Sequence, residues 1–222
     1  MNHATLNREP TRTVLADLFA AAERNDASLR ARFAALSPAE QAALHADYRQ
    51  MYAVHARTAY LPVSRTTGEL LYLLARAVRP KVVVEFGTSF GISTIFLAAA
   101  LRDVGGGRVI GTELSPEKAE RARANVAAAG LADVVEIREG DALDSLARDL
   151  PGEIGLVLLD GAKVLYARIL DLLEPSLIPG AIVVADNADL SPEARARLRT
   201  SGSYLALPLS EDVELAQWLG CP

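Results

Sequence analysis

From residue 81 onward, short runs of Val, Ile and Leu alternate with longer stretches in helical register. That alternation limits the fold more than any other feature of the chain. The runs at 81–86, 108–113, 134–138, 154–160 and 181–185 read as strands, and those at 93–101, 116–129, 142–149 and 162–173 as helices. Alternating strands and helices argue a parallel sheet covered on both faces. Two closing runs, 204–209 and 213–219, are joined only by Ser210-Glu211-Asp212. So short a link excludes a crossover and makes them an antiparallel hairpin. The expectation is one α/β domain with a Rossmann-like, seven-stranded, mostly parallel sheet, ending in an antiparallel hairpin.

Residues 1–80 read as a helical segment of the same domain, with 81–222 as its core. Val14, Leu15, Leu18, Phe19 and Ala22 recur at helical spacing. Ser37-Pro38-Ala39-Glu40 has the form of a capping box with Pro in the first turn. From there a helix to about residue 58 would carry Leu44, Tyr48, Met51 and Tyr52 on one face. A loop at Tyr60-Leu61-Pro62-Val63 and a helix over 67–78 follow, and Ser191-Pro192-Glu193 starts another helix with Ser as its cap. Leu15, Leu18, Phe19, Phe33, Leu36 and Leu44 exceed what a lone helical layer hides, so a homodimer is expected.

Composition narrows the partners. With 28 acidic against 23 basic residues the net charge is -5, which leaves no electrostatic footprint for nucleic acid and favours a small-molecule substrate. The lone cysteine, Cys221, cannot form an intramolecular disulfide. With a polar start and only short apolar runs, this leads us to expect a cytoplasmic protein with no signal peptide and no membrane span. His45 and His55 read as structural, and Arg195, Arg197 and Arg199 as exposed charge on a solvated helix.

The chemistry gathers at strand ends. The first strand runs into Glu85-Phe86-Gly87-Thr88-Ser89-Phe90-Gly91 just before a helix. Glycine at such a turn lets a ligand approach the backbone beside a helix N-terminus. Ser89 and Ile92 break the G-x-G-x-x-G pattern, so a nicotinamide dinucleotide loses ground; the E-x-G-x-x-x-G form instead resembles the first motif of class I methyltransferases. Glu113, ending the second strand, can accept both hydroxyls of a ribose. Asp141, in Gly140-Asp141-Ala142 after the third, can accept from an adenine amino group, cap the following helix, or do both. Three acids at successive strand ends suit a cationic sulfonium nucleoside, S-adenosylmethionine.

The next two strands end in Asp160-Gly161-Ala162-Lys163 and Asp186-Asn187. Asp-Asn after a strand is by itself a turn signal. Beside Asp160 and Lys163, however, it supplies the few hard oxygen donors that Mg²⁺ prefers, leaving other positions to water and substrate.

From about Pro62 to Leu219 the chain resembles the metal-dependent catechol/caffeoyl-CoA O-methyltransferase family, with its D-x-x-K and D-N elements at Asp160…Lys163 and Asp186-Asn187. The resemblance implies cofactor contacts from Val63, Glu85, Gly87, Thr88, Ser93, Glu113, Asp141, Ala142 and Asp160. It also implies divalent-metal ligation by Asp160, Asp186 and Asn187, with Lys163 as general base and Asp160 beside it in catalysis. Glu214 is a further candidate for contact with a substrate hydroxyl. Two departures stand out. The D-A-D-K of many relatives lacks its second acid here, and the substrate-gating insertion of the plant caffeoyl-CoA enzymes after Asn187 is missing. The implied reaction is metal-assisted methylation of a small hydroxylated, catechol-like acceptor. A metal-independent N- or carboxyl methyltransferase and a non-catalytic nucleoside-binding module are the rivals.

Overall fold

In the computed structural model, which describes residues 4–220, seven strands form one sheet: β1 Val82–Phe86, β2 Arg108–Glu113, β3 Val135–Glu139, β4 Ile154–Leu159, β5 Leu177–Ala185, β6 Tyr204–Pro208 and β7 Glu214–Trp218. Cys221 lies outside the described residues. The order is β3-β2-β1-β4-β5-β7-β6. The first five strands pair in parallel, and β7 lies antiparallel to both β5 and β6. The hairpin therefore folds back so that its second strand, not its first, docks on the sheet. Strands β1 and β4 are buried along their whole length, as central strands covered on both faces must be.

Helices α1 Thr11–Ala34, α2 Pro38–Ala46, α3 Arg65–Val78, α4 Ile92–Asp103, α5 Pro116–Ala128, α6 Tyr166–Leu173 and α7 Pro192–Thr200 cover the sheet. Leu15, Leu18 and Ala22 of α1 share one hydrophobic cluster with Ile95, Phe96 and Leu97 of α4 and Val126 of α5. Part of the N-terminal apolar stripe is thus covered within the chain itself, without a second copy. Helix α3 crosses α4 closely at Gly68, where a Cβ would lie 2.6 Å from the Phe96 ring.

Several local expectations are corrected. The helix expected from the capping box to about residue 58 is broken. The box forms, with Ser37 and Glu40 bonding reciprocally, but α2 ends at Ala46. Asp47 then caps a new turn, accepting from Gln50 N, and Met51–His55 follow in a π-helical turn. Both His45, whose side chain is not described, and His55 lie in this broken region. The helix expected over 142–149 is a single turn, Ala142–Ser145. Arg138 donates to the carbonyls of Ser145, Arg148 and Asp149, tying down that stretch in another conformation. Ser191 makes no side-chain cap bond to α7. Arg195, Arg197 and Arg199 of α7 are not free surface charge: Arg195 and Arg199 pair with Glu214, and Arg197 with Asp171 and Glu174. Among the described residues no helix is long and apolar enough to cross a membrane.

Candidate active site

The carboxyl ends of the parallel strands open into one cavity of about 750 Å³, the usual place for a ligand in an open α/β sheet. Strand pairing extends one residue past the strands themselves: Asp160 N donates to Phe86 O at 2.8 Å and Asp186 N to Leu159 O at 2.9 Å. Register thus fixes both acids side by side. From below, the buried Tyr166 hydroxyl lies 2.8 Å from the carbonyls of both Leu159 and Asp186, sharing its proton between the two strand ends.

The first strand turns into α4 through Gly87, whose φ of 101° lies in the left-handed region. A Cβ there would lie 2.6 Å from the Asp160 carbonyl oxygen, so only glycine lets this turn pass so close to the neighbouring strand end. Gly91, with φ 87°, closes the turn at the start of α4.

Glu113 points into the turn. Its Oε2 accepts from Ser89 N and its Oε1 from Ser115 N, both at 2.8 Å. Asp141 caps its helical turn by accepting from Leu143 N at 3.0 Å, so the capping reading of that residue holds. Its other oxygen is taken by the Tyr48 hydroxyl at 3.1 Å and the Arg49 guanidinium at 2.5 Å.

Gly87, Glu113, Asp141, Ala142, Asp160, Lys163, Asp186 and Asn187 all line the main cavity. Val63, Thr88 and Ser93 line a small recess beside it, together with Gly87 and Asp160. Glu85 lines neither. It is fully buried beneath the turn, where the hydroxyls of Thr88 and Thr94 donate to its Oε2 at 2.8 and 2.5 Å. Among the described residues its Oε1 has no hydrogen-bond partner. Burial pushes its carboxyl up to about 7, against the pull of the neighbouring Ser93, Thr94 and Thr88 hydroxyls. In this structure Glu85 supports the turn from below.

At the other end of the cavity Lys163, 9% exposed, donates to Asp160 Oδ1 at 3.0 Å. Asp186 lies beside Asp160, and burial raises both carboxyls above their ordinary range. For Asp186 the neighbouring Asp160 charge adds to burial and lifts it to about 7. Asn187 sits in the left-handed region at φ 49°, which Asn tolerates, and faces the same space. Among the described residues no group of three or more His, Cys, Asp or Glu is assembled as a metal site. The candidate donors are two carboxylates and a carboxamide. They fit a hard divalent cation, because two neighbouring buried acids have one ammonium, Lys163, between them and a further positive charge would favour ionising both.

Glu214 does not reach the cavity. It is fully buried against Arg195 and Arg199, so the expected contact with a substrate hydroxyl is not made. Asp212, two residues earlier, lines the cavity instead. Asp212 lies in the bend before β7 and Val213, beside it, also lines the cavity, whereas Glu214 opens the strand with its side chain turned to the arginines of α7.

Other wall residues gave little sign of themselves. Tyr48, Met51 and Tyr52 read as one apolar helix face, yet they line the cavity. Burial, then the nearby Asp160 and Glu113, hold the Tyr52 phenol well above its ordinary range. Lys118 also lines the cavity at 3% exposure. Its ammonium lies 3.4 Å from Ser89 Oγ and 5.6 Å from the centre of the Phe90 ring.

Comparison with known proteins agrees with this geometry. The family profile of a methyltransferase domain matches residues 84–188. A catechol O-methyltransferase of Mycobacterium tuberculosis is 39% identical over 127 residues, 57% of this chain and 57% of that one. One of Niastella koreensis is 35% identical over 130 residues, 57% of this chain and 58% of that one. The chain thus spans less than two thirds of the length of either relative. An O-methyltransferase from Bacillus cereus, solved in complex with SAH, superposes with a TM-score of 0.68 at 25% identity, covering 80% of this chain and 90% of that one. Matched domain, relatives and fold agree in what they resemble: O-methyltransferases of the catechol/caffeoyl-CoA type, with a methyltransferase domain over residues 84–188.

Proposed function

We propose that this chain transfers the methyl group of S-adenosylmethionine to a hydroxyl of a small, catechol-like acceptor, with a divalent cation assisting. One observation carries the reading: the residues suited to a nucleoside and those suited to ionising a hydroxyl line a single cavity of about 750 Å³. A methyl donor and an acceptor held there are reactants of one step, and fixing both in line supplies much of the rate.

Each residue's part follows from its place. Glu113 accepts from the ribose hydroxyls with lone pairs left over from its two backbone bonds. Asp141 faces the base edge, and Gly87 brings bare backbone against the donor. Phe33, Met51, Leu165, Leu190 and Val213 give the wall an apolar stretch that suits an aromatic ring and excludes water. Lys163 takes the acceptor's proton at Nζ, with Asp160 at 3.0 Å orienting that nitrogen. Asp160, Asp186 and Asn187 would hold Mg²⁺ or a similar ion, which when bound supplies positive charge that favours ionisation of the acceptor hydroxyl.

A panel of catechols, simple phenols, amines and carboxylic acids, offered with isotopically labelled methyl donor and Mg²⁺, tests this. Label on a catechol oxygen is expected. Label found only on nitrogen or carboxylate would replace the proposal with the metal-independent alternative, and SAH binding without transfer to any acceptor with a binding module.

A further inference from the structure

We infer that Asp26, on the N-terminal helix α1, is a positioning residue for the methyl donor, acting through the loop at residues 60–63. Asp26 is 1% exposed, and it is an ionisable side chain buried in a helix whose other inward positions are mostly Leu and Ala. It touches no part of the cavity. Both its oxygens are spent on one loop: Oδ1 accepts from Tyr60 N and Oδ2 from Leu61 N, each at 2.8 Å. A carboxylate gripping two successive backbone N–H groups sets the direction of the chain at that point.

The loop needs such a grip. Leu61 has φ 45°, a left-handed conformation that a leucine adopts only when its surroundings impose it. Held so, Leu61 and Pro62 face the main cavity, while Val63 closes the recess beside Gly87, Thr88 and Ser93.

The same loop grips the glycine-containing turn. The Tyr60 carbonyl accepts from Ser89 Oγ at 2.7 Å, and the Tyr60 ring stacks on Phe90 at 4.1 Å between centres. Ser89 is itself left-handed, at φ 48°, and its N–H holds Glu113. A chain of direct contacts therefore runs from Asp26 through Tyr60 and Ser89 to the acid assigned to the ribose. Lys118 lies at the Ser89 end of this chain. Burial lowers its ammonium below the ordinary lysine range, and the nearby Glu113 and Asp26 offset part of that.

The inference rests on the proposed use of S-adenosylmethionine, and it predicts a change in donor binding rather than in chemistry. The test is titration calorimetry of the full chain with SAH, alongside steady-state kinetics. Asp26→Ala should weaken SAH about tenfold or more, the worth of two hydrogen bonds to a charged group. KM for the donor should rise in step, while kcat at saturating donor stays within about threefold. Thr11→Val is the control. It removes the other buried side-chain bond of α1, from Thr11 Oγ1 to the Ala129 carbonyl at 3.0 Å, far from the loop. It should lower the melting temperature and leave SAH affinity unchanged. If Asp26→Ala proves insoluble, Asp26→Asn carries the test, because the NH2 that replaces one carboxylate oxygen is a donor and cannot accept the N–H that oxygen held. It should weaken SAH by at least about threefold.

Wild-type affinity in the Asp26 variant, or an equal loss in Thr11→Val, overturns the inference. A wild-type chain that does not bind SAH overturns the donor assignment instead, so the two failures are told apart.

Discussion

The two ends of the cavity handle negative charge in opposite ways. At the donor end the acids are satisfied largely by groups the fold itself fixes. Glu113 takes two backbone N–H groups, and Asp141 takes one more together with Tyr48 and Arg49. At the end proposed for the acceptor Asp160 and Asp186 are buried side by side, and among the described residues only Asp160 of the two has an ion-pair partner, Lys163. Carboxylates that meet backbone donors are finished when the chain has folded. Carboxylates that meet each other need a further positive charge to be ionised together. On the proposed function, the donor end is therefore prebuilt and the acceptor end is completed by what binds there.

Removing Lys163 should separate the two ends most sharply. Lys163→Ala is expected to lose roughly 10²–10⁴-fold in turnover, the range for a positioned general base, with SAH affinity nearly unchanged. The defect should shrink at high pH, where the acceptor ionises unaided, and Lys163→Arg should not rescue, because guanidinium keeps its proton. Turnover against pH for the three proteins reads this. A Lys163→Ala enzyme as fast as wild type would remove the base.

A smaller loss is expected from the proposed metal donors. Asp186→Ala and Asn187→Ala should each cut turnover by about 10–100-fold, as changes around metal sites commonly do, and leave SAH binding within about twofold. Calorimetry and turnover on the same preparations distinguish the ends. Parallel losses in both would mean that the division drawn here is wrong.

Glu85, beneath the boundary between the ends, gives a pH signature. Its carboxyl, ordinarily near 4.5, is pushed up to about 7 by burial. Between those values the folded chain keeps a proton that the unfolded chain has shed. Its share of stability is present below pH 4.5 and lost as pH rises through about 7, amounting to about 3 kcal/mol at most. Asp186 acts in the same direction, so Glu85→Gln should flatten, not abolish, the fall in melting temperature between pH 5 and 8. An unchanged slope would show that Glu85 is ionised in the folded chain.

Last comes Glu113, the acid proposed to hold the ribose. Glu113→Ala should weaken SAH by about 1.5–3 kcal/mol, as for a hydrogen bond to a charged group. Unchanged affinity in a folded variant would take Glu113 out of the donor end.

How much of this could be read from sequence follows from where each residue sits. The strand ends were legible, because the apolar runs and the glycine turn announce them. Glu113, Asp141 and Asp160 follow from strand position, Asp186 and Asn187 only from standing beside Asp160 and Lys163, and all of them line the cavity. The segment carrying Tyr48 and Tyr52 was not legible as a cavity wall. Its apolar spacing suits a straight helix, and only the recapping by Asp47 turns it across the site. Glu214 was misplaced because its partners, Arg195 and Arg199, read as exposed charge, and only the folded α7 brings them over the start of β7. Asp26 left no signal at all, since its partners are backbone N–H groups 34 and 35 residues away.

The most direct test of the account is methyl transfer by the wild-type chain to a catechol, with Mg²⁺ present and with every divalent ion chelated, SAH affinity being measured in both conditions. The account predicts that chelation removes transfer while SAH still binds, because the acceptor end alone awaits a cation. Transfer that continues at the same rate under chelation would contradict it.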